Sequence, residues 1–201
     1  MVRNYSDKEL LEKVKMLPSF KGIPVDHWIL GIRSKDDQPG KFDDKFYEFN
    51  GEKFIRVLTG TTHPGLTILK NFEKYSTKGA AVLKSDEWYY GVWKWGLHKG
   101  KMSALLQLGS PLLVYRDDDK DLKAEEQGTI YKGYFGINFH TNTYNWSKEN
   151  LEVHIDDIGA WSAGCQVPNE RDKFQEMMKY YEEASKKGTQ KFVSYCLIKE
   201  F

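Results

Sequence analysis

The chain has 201 residues, with 30 Lys plus Arg against 29 Asp plus Glu and a formal charge of +1. That length suits one globular unit with a sizeable core, and so balanced a charge gives no overall field toward nucleic acid or a membrane surface. No apolar run approaches membrane-span length, and two cysteines are too few for a disulfide scaffold.

The opening residues, Met1-Val2-Arg3-Asn4-Tyr5-Ser6-Asp7, have no apolar stretch behind the charge and read as lacking a signal peptide. Ser6 and Glu9 form a capping box. Leu10, Leu11, Val14 and Leu17 then follow at helical spacing, and Pro18 stops the run. Trp28 to Arg33 reads as a strand, and Ser34 to Lys41, with Pro39-Gly40, as a loop. From Phe42 to about Asp117 the pattern is β, in short runs broken by Asn50-Gly51 and Gly60. Leu66 to Leu69, Ala81 to Leu83 and Leu112 to Tyr115 are further expected strands. Trp88 to Trp95 holds three of the six tryptophans; it reads as core filling or as the wall of a binding groove.

Gly133 to His140 is expected as a buried strand ending on the histidine. Thr141 to Trp161 is a long polar segment with the character of a functional loop or lid. Asn169 is expected to cap a helix that buries Phe174, Met177, Met178 and Tyr181 and stops at Gly188. Lys191 to Lys199 is a final strand. The fold class is therefore α+β, mainly β. Residues 1–41 are expected to pack on a body formed by 42–201 as one globular unit.

Ser162-Ala163-Gly164-Cys165 carries the clearest chemistry. Small neighbours let a substrate reach the thiol, and Gly164 lets successive N–H groups turn toward one point, as an oxyanion hole requires. A helix starting near Asn169 would lower the thiol pKa through its dipole. An imidazole would serve as base and then acid. His140 is the first candidate, His154 the second; His63 and His98 stand beside glycine-containing turns, and His27 is last. Cys165, His140 and His154 are zinc-ligand types, yet no CxxC, HExxH or close His pair accompanies them, so no metal and no cofactor is expected. The acidic run from Arg116 to Asp121 reads as a solvated turn that lacks the spacing of a calcium loop. Cys196 lies in an apolar run and reads as a core residue. Arg33, Arg116 and the Asp43-Asp44 pair read as substrate contacts or, more simply, as ion-pair or turn residues, and Asp156 and Asp157 as groups that orient a histidine or as caps or solvated groups.

His140 followed by Ser162-x-Gly164-Cys165 resembles the signature of the L,D-transpeptidase (YkuD-type) catalytic domain. Thr62-His63-Pro64-Gly65 is similar to that family's T-x-P-G turn, and the order of the three motifs agrees. The resemblance covers roughly Phe42 to Val167. It implies a YkuD-like β-sandwich or barrel, flanked by a short N-terminal helix and a C-terminal helix plus strand. It also implies a thioester acyl-enzyme on Cys165, with His140 as general base. The N–H groups of Gly164 and Cys165 would hold the oxyanion, and Ser162 would support the site. Trp161, Ala163, Thr141, Asn142 and Gln166 are the accompanying candidate substrate contacts.

The implied partner is a peptidoglycan stem peptide, cut or transferred by a monomer. The departures are a longer gap between His140 and Cys165, Ala163 where the family often has histidine, and Val167 where it often has arginine. The whole chain is also similar to lysin-type phage and prophage proteins, which reach the wall without a signal peptide once released. The alternative is a non-catalytic wall- or glycan-binding module on the same scaffold, using the Trp88–Trp95 stretch.

Overall fold

The computed structural model describes the whole chain except residues 37, 76–78, 118, 120 and 154 and the side chains of residues 72 and 75. His154, the second candidate base, and Asp118 and Lys120 of the acidic run therefore lie outside the described residues. The architecture is α+β and mainly β.

Helix α1 (Asp7–Lys15) starts at the expected capping box, with both reciprocal bonds between Ser6 and Glu9 present. Strands β1 (His27–Arg33), β2 (Asp44–Asn50) and β3 (Lys53–Thr61) follow, with β2 and β3 paired across Asn50-Gly51. Then come short helices α2 (Leu66–Lys70) and α3 (Phe72–Tyr75) and strands β4 (Ala81–Leu83), β5 (Glu87–His98), β6 (Met102–Gln107), β7 (Leu112–Arg116) and β8 (Tyr131–Gly133). Helix α4 (Lys148–Leu151), strand β9 (Val167–Pro168), helix α5 (Arg171–Lys187) and strand β10 (Val193–Lys199) complete the chain. A curled seven-stranded sheet runs β6-β5-β10-β1-β2-β3-β9, and a second sheet runs β4-β7-β8.

The large sheet is buried on both faces. Along β1, Ile29 joins one core with Trp93, Tyr195 and Leu197 and with Phe174, Met177 and Tyr181 of α5. Trp28, Leu30 and Ile32 point the other way, into a second core closed by Leu10 and Val14 of α1. This is the period-two alternation of a strand with apolar residues on both sides. The segment before Phe42 thus supplies a central strand, with β10 parallel to it on one side and β2 antiparallel on the other. Trp88 and Trp93, on neighbouring stretches of β5, are buried in these two cores. The tryptophan-rich stretch is therefore core filling, and the groove-wall expectation fails for both residues.

Three local expectations are corrected. Leu66–Lys70 is a helix, because Ile68 and Leu69 bond back to the Gly65 carbonyl at 2.9 and 3.2 Å and bury against Ala80, Val82 and Ala124. Four apolar residues in a row do not distinguish strand from helix. The strand expected to reach His140 stops at Gly133. Beyond it, the Gln107 side chain takes the N–H groups of Phe135 and Ile137 at 2.9 and 3.1 Å in place of a neighbouring strand. The residue at the N-cap position of α5 is Glu170, not Asn169, and its side chain makes no capping bond. The Asn169 side chain instead bonds the Ile155 carbonyl and accepts from Asn142.

Arg33, at the end of β1, is fully buried. It pairs with Glu126 and donates to Thr62 Oγ1, the Leu83 carbonyl and the Thr62 carbonyl. Removing one partner of a buried ion pair leaves an uncompensated charge. Glu126→Ala is therefore expected to destabilise the fold by about 3 kcal/mol, read as a lower denaturant midpoint with an unchanged slope.

Candidate functional site

The Cys165 turn is held by its own serine. Ser162 Oγ donates to the Cys165 carbonyl at 2.8 Å and accepts from the Gly164 N–H at 3.0 Å. Gly164 has φ +129°, and a Cβ there would lie 2.4 Å from the Ala81 carbonyl oxygen, so both conformation and space require glycine. Two strand-like bonds dock the turn: the Gly65 N–H to the Ser162 carbonyl at 2.9 Å and the Ala81 N–H to the Ala163 carbonyl at 3.1 Å. The Thr61–Gly65 turn and the cysteine turn, about a hundred residues apart in sequence, are thus in direct contact. Asp44 braces the former by accepting the N–H and hydroxyl of Thr62 at 2.6 and 2.7 Å.

His140 reaches the same place through a parallel bridge between Phe139 and Gln166. The His140 N–H bonds the Gln166 carbonyl at 3.1 Å, and the Gln166 N–H bonds the Asn138 carbonyl at 2.9 Å. Phe139 and Gln166 are fully buried. Side chains alternate along each segment, so Asn138, His140 and Cys165 share the opposite face.

The His140 ring is buried. Its Nδ1 lies 2.7 Å from the Thr141 carbonyl, an acceptor, so Nδ1 carries the proton and Nε2 carries the lone pair. Nε2 is buried without a hydrogen-bond partner. The half-buried thiol donates to the Gly136 carbonyl at 3.6 Å and accepts from the Asn138 N–H at 3.5 Å. No hydrogen bond joins Sγ to His140 in this state.

Burial pushes the Cys165 thiol up to about 11, outweighing the Asn138 N–H and the charge of Lys99, which both pull it down. Burial also lowers His140 to about 4; the Thr141 carbonyl opposes this, while His98 and Lys99 add to it. At neutral pH Cys165 is a protonated thiol and His140 a neutral imidazole, not a thiolate–imidazolium pair. Helix α5 begins at Arg171, six residues past Cys165, and the net effect on the thiol is the rise that burial imposes.

The other expected residues divide into two groups. Trp161 is half-buried, Ala163 is exposed beside the thiol, and Trp161 packs on Tyr144 with ring centroids 5.0 Å apart. Thr141, Asn142 and Gln166 are buried. Thr141 donates to the Pro168 carbonyl at 3.0 Å, and Asn142 accepts from Arg171 Nε at 2.8 Å. These three hold the frame of the site rather than face solvent. Arg171 also bonds the Asn150 carbonyl at 2.7 Å, and so ties the long 141–161 segment to α5.

One lower-ranked histidine, and the lysine that follows it, lie at the site. His98, at the end of β5, stacks on His140 with ring centroids 4.4 Å apart and lies 3.1 Å from the Asn138 side-chain nitrogen. Lys99 follows it in the turn to β6. The available signal was the Lys99-Gly100 pair after a long β run, which marks a hairpin tip; nothing local shows where that tip lands. His63, within the Thr61–Gly65 turn, is buried, and His27 is paired with Glu48 at 2.9 Å. In the acidic run, Asp117, Asp119 and Asp121 each bring a carboxylate oxygen within 4.8 Å of the others. Among the described residues, no helix is long and apolar enough to cross a membrane.

Comparison of the chain with protein-family models, curated proteins and solved structures finds no match.

Two titrations test the electrostatics. Alkylation of Cys165 is expected to accelerate with pH up to a midpoint near 11, measured with a neutral reagent; a midpoint near that of a free thiol would contradict the burial argument. His140 binds its proton more weakly in the folded state, near 4, than unfolded, near 6.5. The stability it contributes is therefore lost as pH falls through that window, by on the order of 3 kcal/mol. Acid unfolding of His140→Gln, compared with wild type, is expected to be less steep between those values.

Proposed function

We propose that the protein is a cysteine-dependent acyltransferase or peptidase acting on peptidoglycan stem peptides, as the resemblance to YkuD-type L,D-transpeptidases implies. The observation that carries the reading is the convergence of the three motifs. The Thr61–Gly65 turn bonds the Cys165 turn directly, and the Phe139–Gln166 bridge puts His140 on the face of Cys165. The mainly β architecture with flanking helices is compatible with the sandwich or barrel that the resemblance implies.

In this reading Cys165 Sγ attacks the scissile carbonyl carbon as its proton passes to His140 Nε2, the imidazole edge that carries the lone pair. A small rotation of the thiol away from Gly136 accompanies the attack. The Thr141 carbonyl holds the ring and stabilises the imidazolium that forms. The Gly164 N–H is already bonded to Ser162, which leaves the Cys165 N–H of that pair to face the oxyanion. Collapse of the tetrahedral intermediate expels the amine, which takes the proton from His140. Water or a second amine then releases the acyl group from sulfur.

A non-catalytic wall-binding module is the second reading. One observation favours it: the resting thiol is protonated and not hydrogen-bonded to His140. The same experiment separates the two. Purified protein incubated with defined muropeptides is expected to give trimmed or cross-linked products by mass spectrometry. Cys165→Ala should lower the rate by several orders of magnitude. Identical product profiles for both proteins, with retained binding to the wall, would decide for the module.

A further inference from the structure

The segment from Tyr134 to His140 runs beside β6 and has two edges. Its inner edge is fixed. Gln107 Oε1 accepts from the Phe135 and Ile137 N–H groups at 2.9 and 3.1 Å, and Gln107 Nε2 donates to the Gly133 carbonyl at 3.0 Å. Trp93 Nε1 donates to the Ile137 carbonyl at 2.9 Å, and Phe139 exchanges both main-chain bonds with Leu105 at 2.9 Å. The odd-numbered residues thus turn main-chain groups toward β6, and the even-numbered ones face the other way.

That outer edge is filled only in part. Gln166 sits between Asn138 and His140: its N–H meets the Asn138 carbonyl at 2.9 Å and its carbonyl accepts the His140 N–H at 3.1 Å. One step back, the Asn138 N–H and the Gly136 carbonyl both meet Cys165 Sγ, at 3.5 and 3.6 Å. The sulfur occupies the place that the main chain of a continuing parallel strand would fill. One step further back, the Gly136 N–H and the Tyr134 carbonyl make no hydrogen bond among the described residues. Tyr134 and Gly136 are both exposed. Gly136 takes φ +70°, and a Cβ built on it would meet nothing within 4 Å, so the space over this edge is open. A free donor and a free acceptor two residues apart, on a segment pinned from behind, form a template for an added strand.

We infer that an acyl donor binds here by strand addition. One residue of an extended peptide donates its N–H to the Tyr134 carbonyl and accepts the Gly136 N–H, and the chain runs on to bring a carbonyl carbon to Cys165 Sγ. Such contacts read main chain rather than side chains. They select a peptide over a simple ester or amide that has the same reacting carbonyl but no second amide to pair. The stem peptide as occupant rests on the proposed function; the strand addition itself can be read without turnover.

The test attaches a short peptide to the thiol. At alkaline pH, one sample is alkylated with the chloromethyl ketone of acetyl-dialanine and another with chloroacetone, which carries the same reacting group without the peptide. Sulfur bonds the methylene carbon and chloride leaves in both. Cys196 is fully buried and does not compete. Amide hydrogen exchange is then followed by NMR. The Gly136 N–H is expected to exchange roughly tenfold more slowly in the peptidyl adduct than in the chloroacetone adduct, the size of one intramolecular hydrogen bond. The Phe135 and Ile137 amides, already bonded to Gln107, should exchange alike in both. On the reagent side, the two amides of the peptidyl ketone are N-methylated in turn. One of the two methylations, by removing the donor to Tyr134, should slow inactivation of the wild-type protein roughly tenfold. Equal Gly136 exchange in the two adducts, or methylated reagents that both react as fast as the parent, would overturn the inference. A protein that turns over no muropeptide would count against the proposed function alone, because the adducts form by alkylation.

Discussion

The site depends on Gln166. Its main chain forms the parallel bridge that holds Asn138 and His140 beside the cysteine turn. Its side-chain amide donates to the Thr62 and Gly164 carbonyls at 3.4 and 3.2 Å, and its oxygen accepts from the Tyr195 hydroxyl at 2.7 Å. One fully buried side chain thus joins the Thr61–Gly65 turn, the cysteine turn and the central strand β10. A buried amide satisfied on both ends has only one acceptable placement, since any shift leaves a polar group unpaired. Tyr195 can reach it because Gly31 of β1 has no side chain; a Cβ there would lie 2.0 Å from the hydroxyl.

The same logic extends outward. Arg33 and Asp44 are buried and each bonds Thr62 twice, so the turn that docks on Cys165 is fixed from the sheet side. Burial raises Asp44 above its ordinary range, and the charge of His63 opposes that rise. On the far side, Arg171 and Asn142 tie the 141–161 segment to α5. The Cys165 turn therefore rests on a pre-ordered frame that also carries a buried imidazole. On the proposed reading, activation of the thiol falls at the moment of substrate binding rather than in the resting protein.

Much of the secondary structure was legible in the chain. The Ser6–Glu9 box, the Asn50-Gly51 hairpin, the Gly188 stop and the apolar stripe of α5 are local signals, and each fell where its chemistry requires. The failures share a cause. Leu66–Lys70 and the Tyr134–Asn138 stretch are decided by what they pack against and by the Gln107 side chain, neither of which is local. The tryptophans of β5 have the composition of a binding wall, but Trp88 and Trp93 are interior because the sheet has a core on each face.

By itself the sequence singled out the candidate groups: a thiol between small residues, a serine and a glycine that shape its turn, and a set of histidines among which His140 stood first. These follow from residue type and spacing, which act over a few bonds. Only the tertiary structure decided which groups meet. It brought the His98 ring onto His140 across a hairpin tip, turned Thr141, Asn142 and Gln166 inward as framework, and raised the thiol pKa through burial. Burial and long-range electrostatics belong to the packed molecule and have no counterpart in a local run of residues.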